Sequence, residues 1–153
     1  MADASGMYDS GALDLLDGTQ PWTGAADKLV AFLMLSSYNC DVGHSTQNDL
    51  AHPANITTGP AEHPALAVTQ SAPATSGSSV VLGAADLTFA GIQTGQTVDS
   101  VAFCENPGGT SAPLLCYNRL ADDLVTTGED VSVVIPATGI IQVTYTDADS
   151  TPS

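Results

Sequence analysis

Apolar residues come in short blocks along this chain, and the spacing inside each block predicts the element it forms. Near the start, Leu13, Leu15 and Leu16 supply the apolar side of a short helix that Asp9 or Ser10 can cap and Gly18 can end. Gln20-Pro21-Trp22 then breaks it, because proline disfavours helix in the residue before it. Lys28 to Leu35 reads KLVAFLML, an apolar run whose length and bounds suit a strand buried on both faces, although periodicity alone also allows a buried helix turn. From Val80 the pattern becomes regular. Val80 to Leu82 and Leu87 to Ile92 read as short strands divided by Gly83. Val101 and Phe103 alternate with Ser100 and Ala102, Asn106-Pro107-Gly108-Gly109 signals a turn, and Leu114 to Leu120 returns as the partner strand. Val131, Val133 and Ile135 share one face, Pro136 and Gly139 turn the chain, and Ile141, Val143 and Tyr145 face inward. Strands at spacings near ten residues predict a mainly β fold: an antiparallel β-sandwich or barrel with a short N-terminal helix. Its expected core includes Val101, Phe103, Leu114, Val133, Ile141 and Val143.

The stretch between the two apolar regions, about 36–79, is different. It holds all three histidines, four of the nine prolines and many Ser, Thr, Asn and Gly, and only Ala65 to Thr69 looks like a strand. Irregular stretches this long are uncommon inside compact domains. The expectation is a long irregular arm that lies on something outside its own core, stiffened by Pro53, Pro60, Pro64 and Pro73. His44, Asn48, His52, Asn55 and His63 are its candidate partner contacts.

Length and charge narrow the classes. The 153 residues fit one domain, 1–153. Seventeen acidic residues face two cations, Lys28 and Arg119, for a net charge of -15. Two cations cannot neutralise a row of phosphates, so no nucleic-acid partner is expected, and an anionic membrane would repel the chain. No segment approaches the ~20 apolar residues of a membrane span. MADASGMYDSG lacks the basic flank and apolar centre of a signal peptide, so synthesis in the cytosol without export by that route is expected.

Candidate chemistry is sparse. Cys40-x-x-x-His44 with His52 and His63 could be assembled into a zinc site, but histidines beside prolines in a polar stretch read better as surface residues. Cys104 and Cys116 flank the predicted turn, where a hairpin can bring two cysteines within the ~5.5 Å a disulfide wants. Two buried, reduced thiols are the other reading, and both stay open. Asp122, Asp123, Glu129 and Asp130 lack the alternation of a calcium loop and read as a solvated acidic turn. Asn55-Ile56-Thr57 matches a glycosylation acceptor that is incidental without export. With no G-x-S-x-G elbow and no other catalytic constellation, neither an enzyme nor a cofactor is expected.

Taken in order, MYDSGALDLLDG, Trp22, DKLVAFLMLSSYNCD, and then VLGAADLTFAGIQTGQTVDSVAFCENPGGTSAPLLCYNRLADDLVTTGEDVSVVIPATGIIQVT resemble a family of small virion structural proteins of tailed bacterial and archaeal viruses. The match lies in the order and spacing of its parts: a Tyr-Asp-Ser-Gly helix start, a tryptophan, a hydrophobic strand ending at Tyr38, a Gly-Ala-Asp strand start, and a Ser-Ala-Pro-Leu return strand. The stretch His44 to Pro73 does not align. The resemblance implies a non-enzymatic protein on the capsid surface that decorates or cements it, with the major capsid protein and copies of itself as partners. The alternative is a receptor- or glycan-binding module of a turret, tail or fibre tip, which should expose aromatic side chains. Fourteen Asp against three Glu, with one lysine, suit either a halophilic setting or an ordinary acidic virion surface.

Overall fold

The computed structural model describes residues 5–17, 26–50, 66–105 and 112–144, with 17 and 26–28 described in backbone alone. In chain order the elements are β1 (Gly6–Met7), α1 (Asp9–Asp17), β2 (Ala26–Leu35), β3 (Leu66–Thr69), β4 (Ala74–Ser76), β5 (Ser79–Leu82), β6 (Leu87–Phe89), β7 (Thr97–Glu105), β8 (Leu114–Val125), β9 (Val131–Val133) and β10 (Ile141–Thr144). A 3₁₀ turn spans Gln47–Asp49. The fold is mainly antiparallel β, as the strand pattern predicts. A five-stranded sheet runs β1-β8-β7-β2-β3, with a three-stranded sheet β10-β5-β4 and a two-stranded sheet β6-β9 beside it.

Side chains of a strand point alternately to the two faces, so an unbroken apolar run needs cover on both. That is the position of β2 and β7 at the centre of the large sheet. Leu29, Leu33, Val101 and Phe103 face one core, which they share with Leu82, Phe89, Val131 and Ile141 of the smaller sheets. Phe32, Met34, Ala102, Cys104 and Leu114 face a second core, closed by Tyr8 and Tyr38. The predicted core residues therefore divide between faces: Phe103 lies in the first and Leu114 in the second.

Two of the expected core positions are corrected. Val133 is only partly buried, and Val143 is 53% exposed. β10 bonds to β5 alone among the described strands, and its contribution to the core is made at its start by the adjacent Ile140 and Ile141. Past Ile141 all of its residues are exposed.

The helix also differs from its sequence reading. The carbonyl of Tyr8 accepts from the Ala12 N–H at 3.0 Å, so Tyr8, rather than Asp9 or Ser10, stands at the cap. Its buried face is Tyr8, Gly11 and Leu15, while Leu13 and Leu16 are exposed. Spacings of three and four put the former set on one side; Leu13 and Leu16 share the other. Gly18, Trp22, Tyr145 and the turn residues Asn106 to Gly109 lie outside the described residues.

The irregular stretch is corrected in the same way. Its described parts, 36–50 and 66–79, pack on the domain itself. β3 pairs with β2, Val68 is fully buried, and β4 pairs with β5. Thr46 bridges to Pro113, Gln47 N–H donates to the Ala112 carbonyl at 2.7 Å, and Leu114 N–H donates to the Ser45 carbonyl at 3.0 Å. The short segment after β2 thus covers the second core.

Candidate functional site

One concavity among the described residues arises from a misfit between β7 and β8. The two strands pair at Ser100↔Arg119 and again at Val98↔Leu124, so β7 advances two residues while β8 advances five. The surplus bows out of the sheet at Leu120 to Asp123. Opposite this bow, Val134 to Gly139 carries the chain from β9 toward β10. Between them lies a cleft of about 750 Å³ whose lining includes Val101, Phe103, Ile140, Leu124, Val134 and Asp122. Val101 and Phe103 are core residues, so the cleft reaches the first core.

Hydrogen bonds fix its walls. The Asn118 side-chain amide donates to the Ile140 carbonyl at 3.0 Å, and Ile140 N–H donates to the Leu82 carbonyl at 2.8 Å. The Ile135 N–H donates to the Asp86 carboxylate at 2.9 Å. Gly139 takes a left-handed φ of 72°, and a Cβ there would stand 2.5 Å from the Leu82 carbonyl oxygen, so this wall requires glycine.

Arg119 lines the cleft and is the only Lys or Arg side chain among the described residues. Its guanidinium meets the buried Asp99 carboxylate at 2.8 Å and Asp123 at 3.8 Å. Ser100 donates to the other Asp99 oxygen at 2.8 Å. A charge buried as deeply as Asp99 needs a partner, so Arg119 is committed to structure and adds little positive potential to the cleft.

On the opposite face of the sheet is a polar chain. Tyr8 and Tyr38 hydroxyls are 2.8 Å apart, and Tyr38 Oη lies 3.4 Å from His44 Nδ1. Burial raises the pKa of both phenols, that of Tyr38 to about 12, so both stay protonated at neutral pH. The chain holds the segment after β2 against α1. Of the expected contact residues, His44 is half-buried through this chain and Asn48 is exposed; His52, Asn55 and His63 lie outside the described residues.

The disulfide reading of Cys104 and Cys116 is corrected. Both are free thiols. Cys104 pairs with Leu114 and Cys116 with Phe103, so the two are not cross-strand partners: Cys104 lies in the second core and Cys116 in the first. The sheet separates them. Burial pushes the Cys104 thiol up to about 12 and raises that of Cys116 as well, which makes both poor nucleophiles.

Sequence reasoning placed the strands that build the cleft but missed the cleft itself. Its one signal was Ala121 to Asp123, where the apolar pattern of Leu114 to Leu120 stops before the strand does. Compared with protein-family models, curated proteins and solved structures, the chain matches none.

Proposed function

We propose that this protein is a non-enzymatic structural component of a tailed-virus particle, bound to the outer capsid surface and reinforcing contacts between major capsid subunits. The observation that carries the reading is the ordered resemblance along nearly the whole chain, from the Tyr-Asp-Ser-Gly helix start to the closing Gly-Ile strand. The surface is in keeping with it. Leu13 and Leu16 on α1, Leu124 and Val134 at the cleft, and Val125 at the end of β8 are large apolar side chains left exposed on a hydrogen-bonded β body. Grouped apolar residues of this kind are the usual material of protein interfaces. Many modest contacts of one kind add up on a symmetric shell. A glycan-binding module is less well supported, since the described tyrosines, Tyr8, Tyr38 and Tyr117, are all buried.

The test is biochemical. Particles purified from the source should carry the protein at a fixed ratio to the major capsid protein. Particles stripped of it should rebind the recombinant chain and then resist heat disruption better. Absence from particles, or rebinding without any gain in particle stability, would overturn the proposal.

A further inference from the structure

We propose that the cleft between β8 and the Val134–Gly139 segment is a docking site for a partner's polypeptide segment in which lysine or arginine flanks a large apolar side chain. The inference deepens the proposed function and rests on the reading that the protein works by binding other protein subunits. Three features of the cleft select this occupant.

The first is its interior. Val101, Phe103 and Ile140 belong to the first core, so an apolar side chain entering the cleft continues that core. A volume of about 750 Å³ is in the range that takes a short peptide segment, well above a single water site. The second is its lip. Leu124 is 42% and Val134 72% exposed, and both line the opening, so a bound segment would cover apolar area that the free domain leaves in water.

The third is charge. Asp122 lines the cleft, Asp123 is exposed beside it, and Asp86 holds the wall at Ile135. Glu129 and Asp130, both exposed, precede β9. Arg119, the one described Lys or Arg, is matched by Asp99 at 2.8 Å and by Asp123 at 3.8 Å, which leaves Asp122, Asp86, Glu129 and Asp130 without a described Lys or Arg partner. The opening is therefore negative, and a protein of net charge -15 draws a basic partner from a distance. Charge also disfavours a second copy as occupant, since self-association here would set acid against acid.

The probe is a random dodecapeptide display library selected on the full-length protein, with folding of every variant checked by its melting transition. Enriched peptides should place Lys or Arg next to Leu, Ile, Phe or Trp. They should bind the wild type at least tenfold more tightly than Val134→Arg or Asp122→Lys, both at exposed positions, while Leu16→Arg on α1 leaves binding unchanged. Affinity should fall severalfold between 0.1 M and 1 M salt, as the screening length shrinks from ~10 to ~3 Å. No enrichment, enrichment of acidic or wholly polar peptides, or equal binding to the cleft variants would overturn the inference. Particle occupancy separates the two readings. Val134→Arg and Asp122→Lys variants that occupy particles as fully as wild type would refute the cleft alone. Peptide binding in the cleft of a protein absent from particles would refute the capsid reading alone.

Discussion

Phe103 lies toward the end of β7, paired on either side with Ala31 and Cys116, and its ring is fully buried in the core that the three sheets share. No neighbour can move in to fill the space its removal leaves, because the surrounding strands are hydrogen-bonded in register. Phe103→Ala should therefore cost about 3–5 kcal/mol, measured by chemical denaturation. A loss under about 1 kcal/mol would mean that the first core is not packed as described. Two residues further on, Glu105 shows the opposite kind of strain. Burial, and then the Asp14 carboxylate, raise its pKa above 4.5. The folded state thus holds this proton more readily than the unfolded chain does. Its unfavourable contribution is absent below pH about 4.5, grows as pH rises through the raised folded value, and is complete above it. Glu105→Gln should raise the melting temperature at pH 7 and make no difference in acid. Asp49 has the reverse sign: N–H groups of Thr46 and Ser45 donate to its carboxylate and lower its pKa from 3.8, so its contribution is lost as pH falls through that depressed value.

At the scale of elements, the joint between α1 and β8 shows how one residue sets a packing distance. Glycine inside a helix costs about 1 kcal/mol relative to alanine. Gly11 is retained where a Cβ would stand 2.3 Å from the Leu115 carbonyl oxygen and 2.5 Å from its Cα. The helix lies flat on the strand, and Tyr8 N–H donates to that same carbonyl at 3.1 Å. Gly11→Ala should destabilise despite the better helix propensity, by about 1–3 kcal/mol, because backbone meets backbone and neither side can rotate away. An increase in stability would mean that α1 can lift from β8 at no cost. The same joint shows what sequence reasoning can reach. β2, β5, β7, β8 and β10 were legible because an apolar run or a period of two survives any detail of pairing. The face of α1 was not. Three leucines outweighed a tyrosine and a glycine in the pattern, yet only Leu15 turns inward, and the small residue marks the contact. Cys104 and Cys116 stayed between two readings because a hairpin count does not give the register: Cys116 pairs with Phe103, the neighbour of Cys104, and successive residues face opposite ways. The bow in β8 that makes the cleft is a register shift, and its one trace in local composition is the loss of the apolar pattern at Ala121 to Asp123.

Over the whole molecule the dominant physical fact is unbalanced charge. Of the two cations, Arg119 is matched to the buried Asp99 and lies 3.8 Å from Asp123, and the exposed acids Asp9, Asp41, Asp86, Asp122, Glu129 and Asp130 have no described Lys or Arg to offset them. Two unit charges 10 Å apart in water repel by about 0.4 kcal/mol, so many such pairs acting together weigh against a domain whose net stability is only about 5–15 kcal/mol. Salt removes this penalty as the screening length falls from ~30 Å at 0.01 M to ~3 Å at 1 M. The melting temperature should therefore climb by roughly 5 °C or more over that range, since 1 kcal/mol is worth about 2–4 °C for a domain of this size. Salts also strengthen apolar burial, and that effect would raise the melting temperature without any help from charge. A variant carrying Asp122→Asn, Glu129→Gln and Asp130→Asn separates the two. These are surface positions, and the Gly91 N–H that donates to the Asp130 carboxylate at 3.0 Å keeps an acceptor in the side-chain carbonyl that Asp130→Asn leaves in place. If self-repulsion is the cause, the variant melts higher in dilute buffer and its dependence on salt is shallower. A dependence as steep as that of the wild type would assign the effect to apolar burial and leave the acidic surface without a role in salt tolerance.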